Sequence, residues 1–220
     1  MKTPGNRMSA DISSKLFAEI ENSRKLVRKE VLSLVFSTGK SELFVRDLLA
    51  AQIDSSLAFG ENSYVAREWS AHDLTIFDGE LPIAIIEGKA WIHADVVNKR
   101  KLVSGDKSIL FVMNRDLEKI RITKEKFPKT KSFLTTLLVT CDSSGREFGG
   151  INPITYRQKH QSAIRSSGQF DSLISASNRV FKEFVQEQWS GVEINSFVYL
   201  HERYRDLTVH ADLVCMSFPD

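Results

Sequence analysis

The chain has 220 residues, of which 42% are hydrophobic and 26% charged, and its formal net charge is +2. This composition is typical of a globular domain with a substantial core and excludes a disordered or fibrous chain. No apolar segment approaches the roughly 18 residues of a membrane span, and the N-terminus lacks the apolar core of a signal peptide. Both cysteines, Cys141 and Cys215, stand among apolar residues without metal-binding spacing. We therefore predict buried thiols and a cytoplasmic protein without a membrane partner.

Charge is distributed unevenly along the chain. Residues 61–87 contain six acids and one base, whereas residues 95–131 contain eleven bases and five acids. An acidic segment followed by a basic one fits a cation site beside an anion-binding surface, and it fits two solvated faces equally well.

The N-terminal third of the chain has helical periodicity. Apolar residues at helical spacing predict one helix over residues 9–38, ended by Gly39, and a second helix that Ser41 caps and that runs to residue 56. Three strand-like segments follow, namely Tyr64–Trp69, Asp73–Phe77 and Leu81–Glu87. The Asp78-Gly79 pair predicts a tight hairpin between the last two. The nearly continuous apolar run in the last segment predicts a central strand covered on both faces.

The remaining segments alternate between helix and strand. Residues 94–120 are predicted to be helical with a break at Ser104–Asp106, and Asp106 could cap the second piece. Residues 132–142 predict a buried strand, residues 170–189 an amphipathic helix, and residues 193–204 and 207–218 two paired strands. Residues 142–169 give no clear assignment. This order predicts an α/β (mixed α+β) fold with a central mixed sheet flanked by helices.

Polar residues stand at the paired ends of the predicted hairpin, "HDLTIFDGELPIAIIEGK". Asp73 starts its first strand, and Glu87 and Lys89 end the second. Antiparallel pairing brings the start of one strand beside the end of the other, and alternate residues of a strand share a face. The sequence therefore predicts two carboxylates and one ammonium group on one patch at the edge of the sheet.

Two neighbouring carboxylates repel each other unless a cation joins them. Mg²⁺ fits, since it is typically bound by one or two carboxylates, waters and substrate phosphates. A bound metal ion can lower the pKa of a water molecule and neutralise charge on a phosphate under attack. Lys89 would orient or deprotonate that water, or stabilise the developing charge, and Gly88 would let a substrate approach the backbone. The alternative is a surface ion pair on an exposed hairpin, worth about 0–1 kcal/mol.

The pattern "HDL…IIEGK" resembles the signature of the PD-(D/E)xK nuclease superfamily, which has the restriction-endonuclease-like fold. In that family an Asp opens one strand and a (D/E)xK tripeptide follows on the next, hairpin-paired strand. The matching positions here are Asp73, Glu87 and Lys89, with His72 in place of the motif Pro. Members commonly carry an assisting acidic residue on a preceding helix, and Glu42 is the candidate. The resemblance covers about a third of the chain, residues 41–110.

The resemblance implies a Mg²⁺-dependent DNA endonuclease with a restriction-endonuclease-like core, such as a type II restriction enzyme or a defence or repair nuclease. Mn²⁺ would substitute for Mg²⁺, and Asp73, Glu87 and Glu42 would be the metal ligands. The chain is then a single domain, 1–220, with an N-terminal helical extension (1–40), a catalytic core (41–140) and a C-terminal helix and strands (141–220). Cutting both strands of a duplex would suit a homodimer. The alternative is a non-catalytic nucleic-acid-binding or protein-interaction module on the same fold.

Basic residues near the motif are candidates for contact with DNA phosphates, which dominate the affinity of such complexes. They are Lys99, Arg100, Lys101, Arg157 and Lys159. A solvated helix face explains each of them singly just as well.

Three histidine and acidic side chains near the C-terminus raise the question of zinc. His210 and Asp212 share a strand face, and His201 could lie across the hairpin. No HExxH motif or Cys/His spacing supports such a site. We predict surface or pairing roles for these histidines.

Overall fold

The computed structural model describes residues 4–38, 41–56, 58–143, 154, 157–204 and 206–219, and for residues 4–11 the backbone alone. Within these ranges eight α-helices surround one six-stranded mixed sheet, which confirms the predicted mixed α/β class. The helices are α1 (Pro4–Ser23), α2 (Lys29–Thr38), α3 (Ser41–Ser56), α4 (His93–Val96), α5 (Lys99–Val103), α6 (Ile109–Lys126), α7 (Arg157–Ser166) and α8 (Phe170–Gln188). The strands are β1 (Ser63–Arg67), β2 (Leu74–Asp78), β3 (Leu81–Ile92), β4 (Lys131–Asp142), β5 (Glu193–Tyr204) and β6 (Leu207–Phe218).

The sheet has the strand order β1-β2-β3-β4-β6-β5. Its pairs are antiparallel except for β3 and β4, which run parallel. A parallel pair needs a long crossover connection, and α4, α5 and α6 lie in it. The predicted pairing of the last two strands is confirmed, since β5 and β6 form an antiparallel hairpin.

The predicted hairpin of β2 and β3 is confirmed. Asp78 pairs with Leu81 across a two-residue loop, and after a bulge between Ile76 and Phe77 that shifts the register by one residue, Leu74 pairs with Ile86. Gly79, the first loop residue, has a φ of 57°, a left-handed conformation that glycine adopts without steric cost. Asp73, which precedes Leu74, therefore lies beside Glu87.

Two hydrophobic clusters cover the two faces of the sheet. One contains buried residues of α1, α2 and α3, and the other contains buried residues of α6 and α8. Ile86 of β3 belongs to the first cluster and Ile85 to the second, and both are at most 1% exposed. β3 is thus a central strand covered on both faces, as the apolar sequence predicted.

The N-terminal helical segment differs from the prediction of one continuous helix. A 3₁₀ turn at Arg24–Leu26 and an extended Val27 separate α1 from α2. The core contacts explain the break, because Ile20 and Leu32 are buried whereas Leu26 between them is 48% exposed. Because of the break, the apolar faces of α1 and α2 both pack against the sheet. In one straight helix, one of these two faces would point away from the sheet.

Other boundaries and one helix cap also differ from the prediction. β1 ends at Arg67, two residues earlier than predicted, and β3 continues to Ile92 because its end pairs with β4. The predicted break in the following helical segment is confirmed, since α5 ends at Val103 and α6 starts at Ile109, and a second break that was not predicted separates α4 from α5. The cap of α6 is Ser108 rather than Asp106, because the Ser108 Oγ accepts the N–H of Phe111 at 3.2 Å.

Both cysteines are buried free thiols, as predicted. Burial raises the pKa of the Cys141 thiol to about 12, so this thiol is unreactive at neutral pH. In the described ranges, no helix combines the length and apolar character that crossing a membrane requires.

Candidate active site at the open edge of strand β3

The candidate site lies where β3 extends beyond the start of β2. Leu74 of β2 pairs with Ile86, so the later residues of β3 pair on one side only, with β4. Two carboxylates accept the backbone N–H groups on the open side. Asp73 Oδ2 accepts from Gly88 N at 2.8 Å, and Glu42 Oε2 accepts from Ala90 N at 3.2 Å. Each carboxylate is thereby fixed by the backbone through one of its oxygens.

Lys89 extends into the space between three carboxylates that come from three different elements. Its Nζ lies 2.9 Å from Asp116 Oδ2, 3.8 Å from Asp73 Oδ2 and 3.9 Å from Glu42 Oε1. It also donates a hydrogen bond to the carbonyl of Gly88 at 2.8 Å. The structure thus brings together three of the predicted site residues, Glu42, Asp73 and Lys89.

Glu87 is turned towards α6 and is 1% exposed. Its Oε1 accepts from His72 Nδ1 at 2.7 Å and from Lys119 Nζ at 2.9 Å. His72 Nε2 lies 2.8 Å from Thr123 Oγ1. A neutral imidazole donates through one nitrogen and accepts through the other, so this network assigns the proton to Nδ1. His72, which stands where the motif has Pro, is therefore a buried partner of Glu87.

The second oxygen of Glu87 has no partner. Glu87 Oε2 is buried without a hydrogen bond, which is costly for a carboxylate unless another group compensates. Among the described residues, Glu42, Asp73 and Glu87 do not form a group in which one ligand atom from each residue lies within 4.8 Å of the other two. The three predicted metal ligands are neighbours along one edge rather than a closed cage.

Asp116 is a site residue that the sequence interpretation missed. It is 1% exposed and contacts Lys119 Nζ at 3.2 Å in addition to Lys89. A signal for it exists in the helical periodicity, because Ile109, Met113, Asp116 and Ile120 form one buried stripe of α6. An acid in the middle of an apolar stripe needs a partner in the fold, and the two lysines supply it.

The residues Glu42, Asp73, Glu87, Lys89, Asp116 and Lys119 are called the Lys89 cluster below. It contains four carboxylates and two ammonium groups, a formal excess of two negative charges. The exposed Arg115 reaches Asp116 Oδ1 at 3.9 Å, with its side chain 62% exposed. Solvent screens such a contact, so the partly buried cluster remains electronegative.

Backbone strain occurs immediately before the cluster. Three non-glycine residues have positive φ angles, 58° at Glu68, 52° at Ser70 and 67° at Ala71. Each costs on the order of 1–3 kcal/mol and persists only where neighbouring groups hold it. Lys119 Nζ donates to the carbonyl of Ala71 at 3.3 Å. The strained turn is thus tied to α6, and it places His72 and Asp73 at the open edge.

A small cavity adjoins the cluster between α3 and the sheet. Its volume is about 20 Å³, and Glu42, Asp73, Gly88 and Lys89 are among its lining residues. A cavity of this size holds about one water molecule. A larger substrate would therefore lie outside it, against the edge of the sheet.

The predicted DNA-binding residues lie on two helices. Lys99, Arg100 and Lys101 of α5 are exposed. On α7, Lys159 forms an ion pair with Asp95, and Arg157 donates to Ser143 Oγ at 2.9 Å. The exposed residues of α5 are thus presented to solvent, whereas those of α7 also have protein partners.

Glu42 is expected to destabilise the fold when it is ionised. Burial raises the pKa of its carboxyl above the ordinary value of 4.5; Asp73 and Asp116 also raise it, while Lys89 and the Ala90 N–H lower it. When the pKa of a carboxyl is higher in the folded than in the unfolded protein, the free energy of unfolding falls as the pH rises above 4.5. We expect Glu42→Gln to be more stable than wild type at pH 7, with the difference shrinking towards pH 4.

Thermal unfolding of both proteins across this pH range checks the prediction. Glu30→Gln, a change at an exposed acid of α2, is the matched control. A wild-type protein that gains stability relative to Glu42→Gln as the pH rises would contradict the assigned sign.

Comparisons with family models, with curated proteins and with solved structures found no match. The residues and geometry of the Lys89 cluster are therefore the basis for a functional proposal.

Proposed function

We propose that this chain is a Mg²⁺-dependent nuclease that hydrolyses phosphodiester bonds in DNA. The observation that carries the proposal is the position of Lys89. Its ammonium group lies within 4 Å of Asp73, Glu42 and Asp116 at the open edge of a strand. A lysine held among carboxylates beside solvent is an arrangement suited to metal-assisted attack on a phosphate.

The donor set fits a hard divalent cation. The candidate ligands Asp73, Glu87 and Glu42 offer carboxylate oxygens, which Mg²⁺ prefers, and Mg²⁺ usually needs only one or two of them. The formal excess of two negative charges in the cluster and the unpartnered Glu87 Oε2 both favour a cation. When bound, Mg²⁺ would supply charge neutralisation at the phosphate and a water molecule of lowered pKa.

The protein groups have separate tasks in this proposal. Asp116 and the carbonyl of Gly88 hold the Lys89 ammonium group at the edge. From there Lys89 would orient the attacking water or stabilise charge that develops on the phosphate. His72 and Lys119 hold Glu87 by one oxygen, while the other is buried without a hydrogen-bond partner. The backbone N–H groups of β3 fix Asp73 and Glu42 in the same way.

The positions of these residues also support membership of the PD-(D/E)xK superfamily. Asp73 directly precedes one strand of a hairpin, Glu87 and Lys89 lie on the next, and Glu42 lies on a preceding helix. We extend the proposal to a restriction-endonuclease-like core. Exposed Lys99, Arg100 and Lys101 are the proposed phosphate contacts on DNA, and two copies of the chain would cut the two strands of a duplex.

A non-catalytic module remains the second candidate. One observation favours it, because Asp73 and Glu42 already accept backbone N–H groups that β2 leaves unpaired. In that case the cluster would stabilise the sheet edge, and the fold would bind a nucleic acid or protein without chemistry.

A cleavage assay separates the two candidates. The wild-type chain is incubated with supercoiled plasmid, linear duplex and single-stranded DNA in Mg²⁺ or Mn²⁺, with EDTA and Lys89→Ala as controls. The nuclease proposal expects metal-dependent cutting that Lys89→Ala loses. Binding of DNA that weakens with salt, without cutting and without calorimetrically detectable Mg²⁺ or Mn²⁺ binding, would favour the non-catalytic module.

Gly88→Ala is expected to impair cleavage without impairing folding. The added Cβ would lie 3.5 Å from Thr135 Oγ1 and 3.7 Å from Asp73 Oδ2, which are ordinary contacts. Stability should be unchanged or raised by up to about 1 kcal/mol. The methyl group would enter the space beside Asp73, so we expect a loss of about 10- to 100-fold in cleavage rate. Urea unfolding measures the stability of Gly88→Ala, and the plasmid assay measures its cleavage rate. Full activity of this variant would show that the reacting groups do not lie beside Gly88 and Asp73.

A further inference from the structure

A second cluster of possible metal ligands lies away from the Lys89 cluster. His93 is the first residue of α4, and His210 and Asp212 are alternate residues of β6 on one face. All three are buried, with at most 5% of each residue exposed. These three residues are called the histidine cluster. The sequence alone did not indicate His93, because more than 100 residues separate it from its partners.

One atom of each residue points to a common position. His93 Nε2 lies 3.2 Å and His210 Nε2 lies 2.8 Å from Asp212 Oδ2. All three ligand atoms lie within 4.8 Å of one another, a spacing that occurs in no other group of three histidine, cysteine or acidic residues in the described ranges. Ligands about 2.0–2.2 Å from a zinc ion lie at comparable mutual distances.

The other nitrogen of each imidazole has a partner of its own. His93 Nδ1 lies 2.9 Å from Thr140 Oγ1, and His210 Nδ1 lies 3.0 Å from His201 Nδ1. Metal-binding histidines almost always donate the second ring N–H to such a partner, which fixes the ring and its tautomer. With a metal at both Nε2 atoms, each proton would reside on Nδ1, where Thr140 and His201 can accept it.

Asn178 adds a fourth polar side chain beside Asp212. Asn178 of α8 donates from Nδ2 to Asp212 Oδ2 at 2.7 Å, while its Oδ1 is buried without a hydrogen-bond partner. Rotation of the amide by half a turn would exchange these atoms. Such an oxygen would be repelled by the Asp212 carboxylate alone, but it would be attracted by a cation held there.

We propose that the histidine cluster binds one divalent first-row transition metal ion, Zn²⁺ in the first instance, through His93 Nε2, His210 Nε2 and Asp212. Imidazole ligands favour such ions over Mg²⁺, which prefers oxygen donors. The sequence disfavoured a zinc site of His201, His210 and Asp212; in the set proposed here His93 is a ligand and His201 supports His210. The ion would join β6 to the start of α4, and the proposal does not depend on nuclease activity.

Titration of the metal-free full-length chain with Co²⁺, followed by its visible absorption and by competition with Zn²⁺, tests the proposal. We expect one ion per chain, displaced by Zn²⁺ and unaffected by excess Mg²⁺. His93→Gln and Asp212→Asn should lose the absorption band, and His201→Ala should weaken affinity by about 10- to 100-fold. Asp73→Asn, in the other cluster, should bind as wild type does.

Circular dichroism confirms that each variant is folded before titration. Absence of stoichiometric Co²⁺ and Zn²⁺ binding by the wild-type chain overturns the proposal without recourse to any variant. Wild-type affinity in folded His93→Gln, or loss of binding in Asp73→Asn alone, overturns the assigned ligands.

Discussion

Asp73→Asn is expected to lower metal-dependent DNA cleavage by at least about 100-fold while the fold persists. A bound metal contributes several kcal/mol to such reactions, and each 1.4 kcal/mol corresponds to a tenfold change in rate. The amide of Asn is nearly isosteric with the carboxylate. Its oxygen can still accept the Gly88 N–H that Asp73 Oδ2 accepts at 2.8 Å, so the substitution removes charge and leaves the edge contact.

Asp78→Asn is the matched control, since it makes the same change at the exposed opposite end of β2. Single-turnover cleavage of plasmid DNA measures the rate, calorimetry measures Mg²⁺ affinity, and thermal unfolding checks the fold. Asp73→Asn should lose cleavage and Mg²⁺ affinity together. Equal cleavage rates in wild type and Asp73→Asn would show that Asp73 is not part of the catalytic site.

Glu87→Ala is expected to lower the free energy of unfolding by about 1–3 kcal/mol, the usual cost of leaving a buried hydrogen-bonding group without its partner. Glu87 Oε1 binds both His72 and Lys119, and the His72 side chain is itself fully buried. Without Glu87, His72 Nδ1 has lost its partner in a place that water does not reach. Lys119 is 33% exposed and can turn to solvent, so most of the loss is expected at the histidine.

Glu87→Gln keeps an oxygen that can accept from His72 and should therefore lose less stability than Glu87→Ala. Urea unfolding of His72→Ala, Glu87→Ala and the double variant gives the coupling energy of the pair, expected at about 0.5–3 kcal/mol. Additive losses would mean that the 2.7 Å contact contributes nothing to stability. Glu87→Gln that folds well but does not cut DNA would separate the proposed catalytic role of Glu87 from its structural one.

Asp73 and Glu87 therefore differ in how much each contributes to the stability of the fold. Asp73 is partly exposed and is fixed by one backbone N–H, so its charge can be removed at little structural cost. Glu87 is buried between β3 and α6, and the buried His72 and the partly exposed Lys119 both bind its carboxylate.

The local sequence determined the hairpin and the relative positions of its polar residues. Alternation along a strand places Glu87 and Lys89 on one face, and the Gly79 turn makes β2 and β3 antiparallel neighbours. A bulge between Ile76 and Phe77, which the sequence did not indicate, sets the register that brings Asp73 beside Glu87. These features depend on neighbouring residues and a short loop, and few alternative arrangements compete with them. For the same reason, the apolar periodicity was sufficient to predict the paired strands β5 and β6.

The partners of these residues were decided only by tertiary structure. Asp116 and Lys119 reach the hairpin because α6 packs on one face of β3. His93 starts α4 directly after β3 and contacts Asp212 of β6, although β4 lies between the two strands. Periodicity identifies which face of an element is buried but not which distant element covers it, since hydrophobic burial is non-directional. The break between α1 and α2 has the same origin, because it depends on how two apolar faces meet one sheet. Side-chain clusters assembled from distant elements therefore required the packed structure, whereas the motif within one hairpin did not.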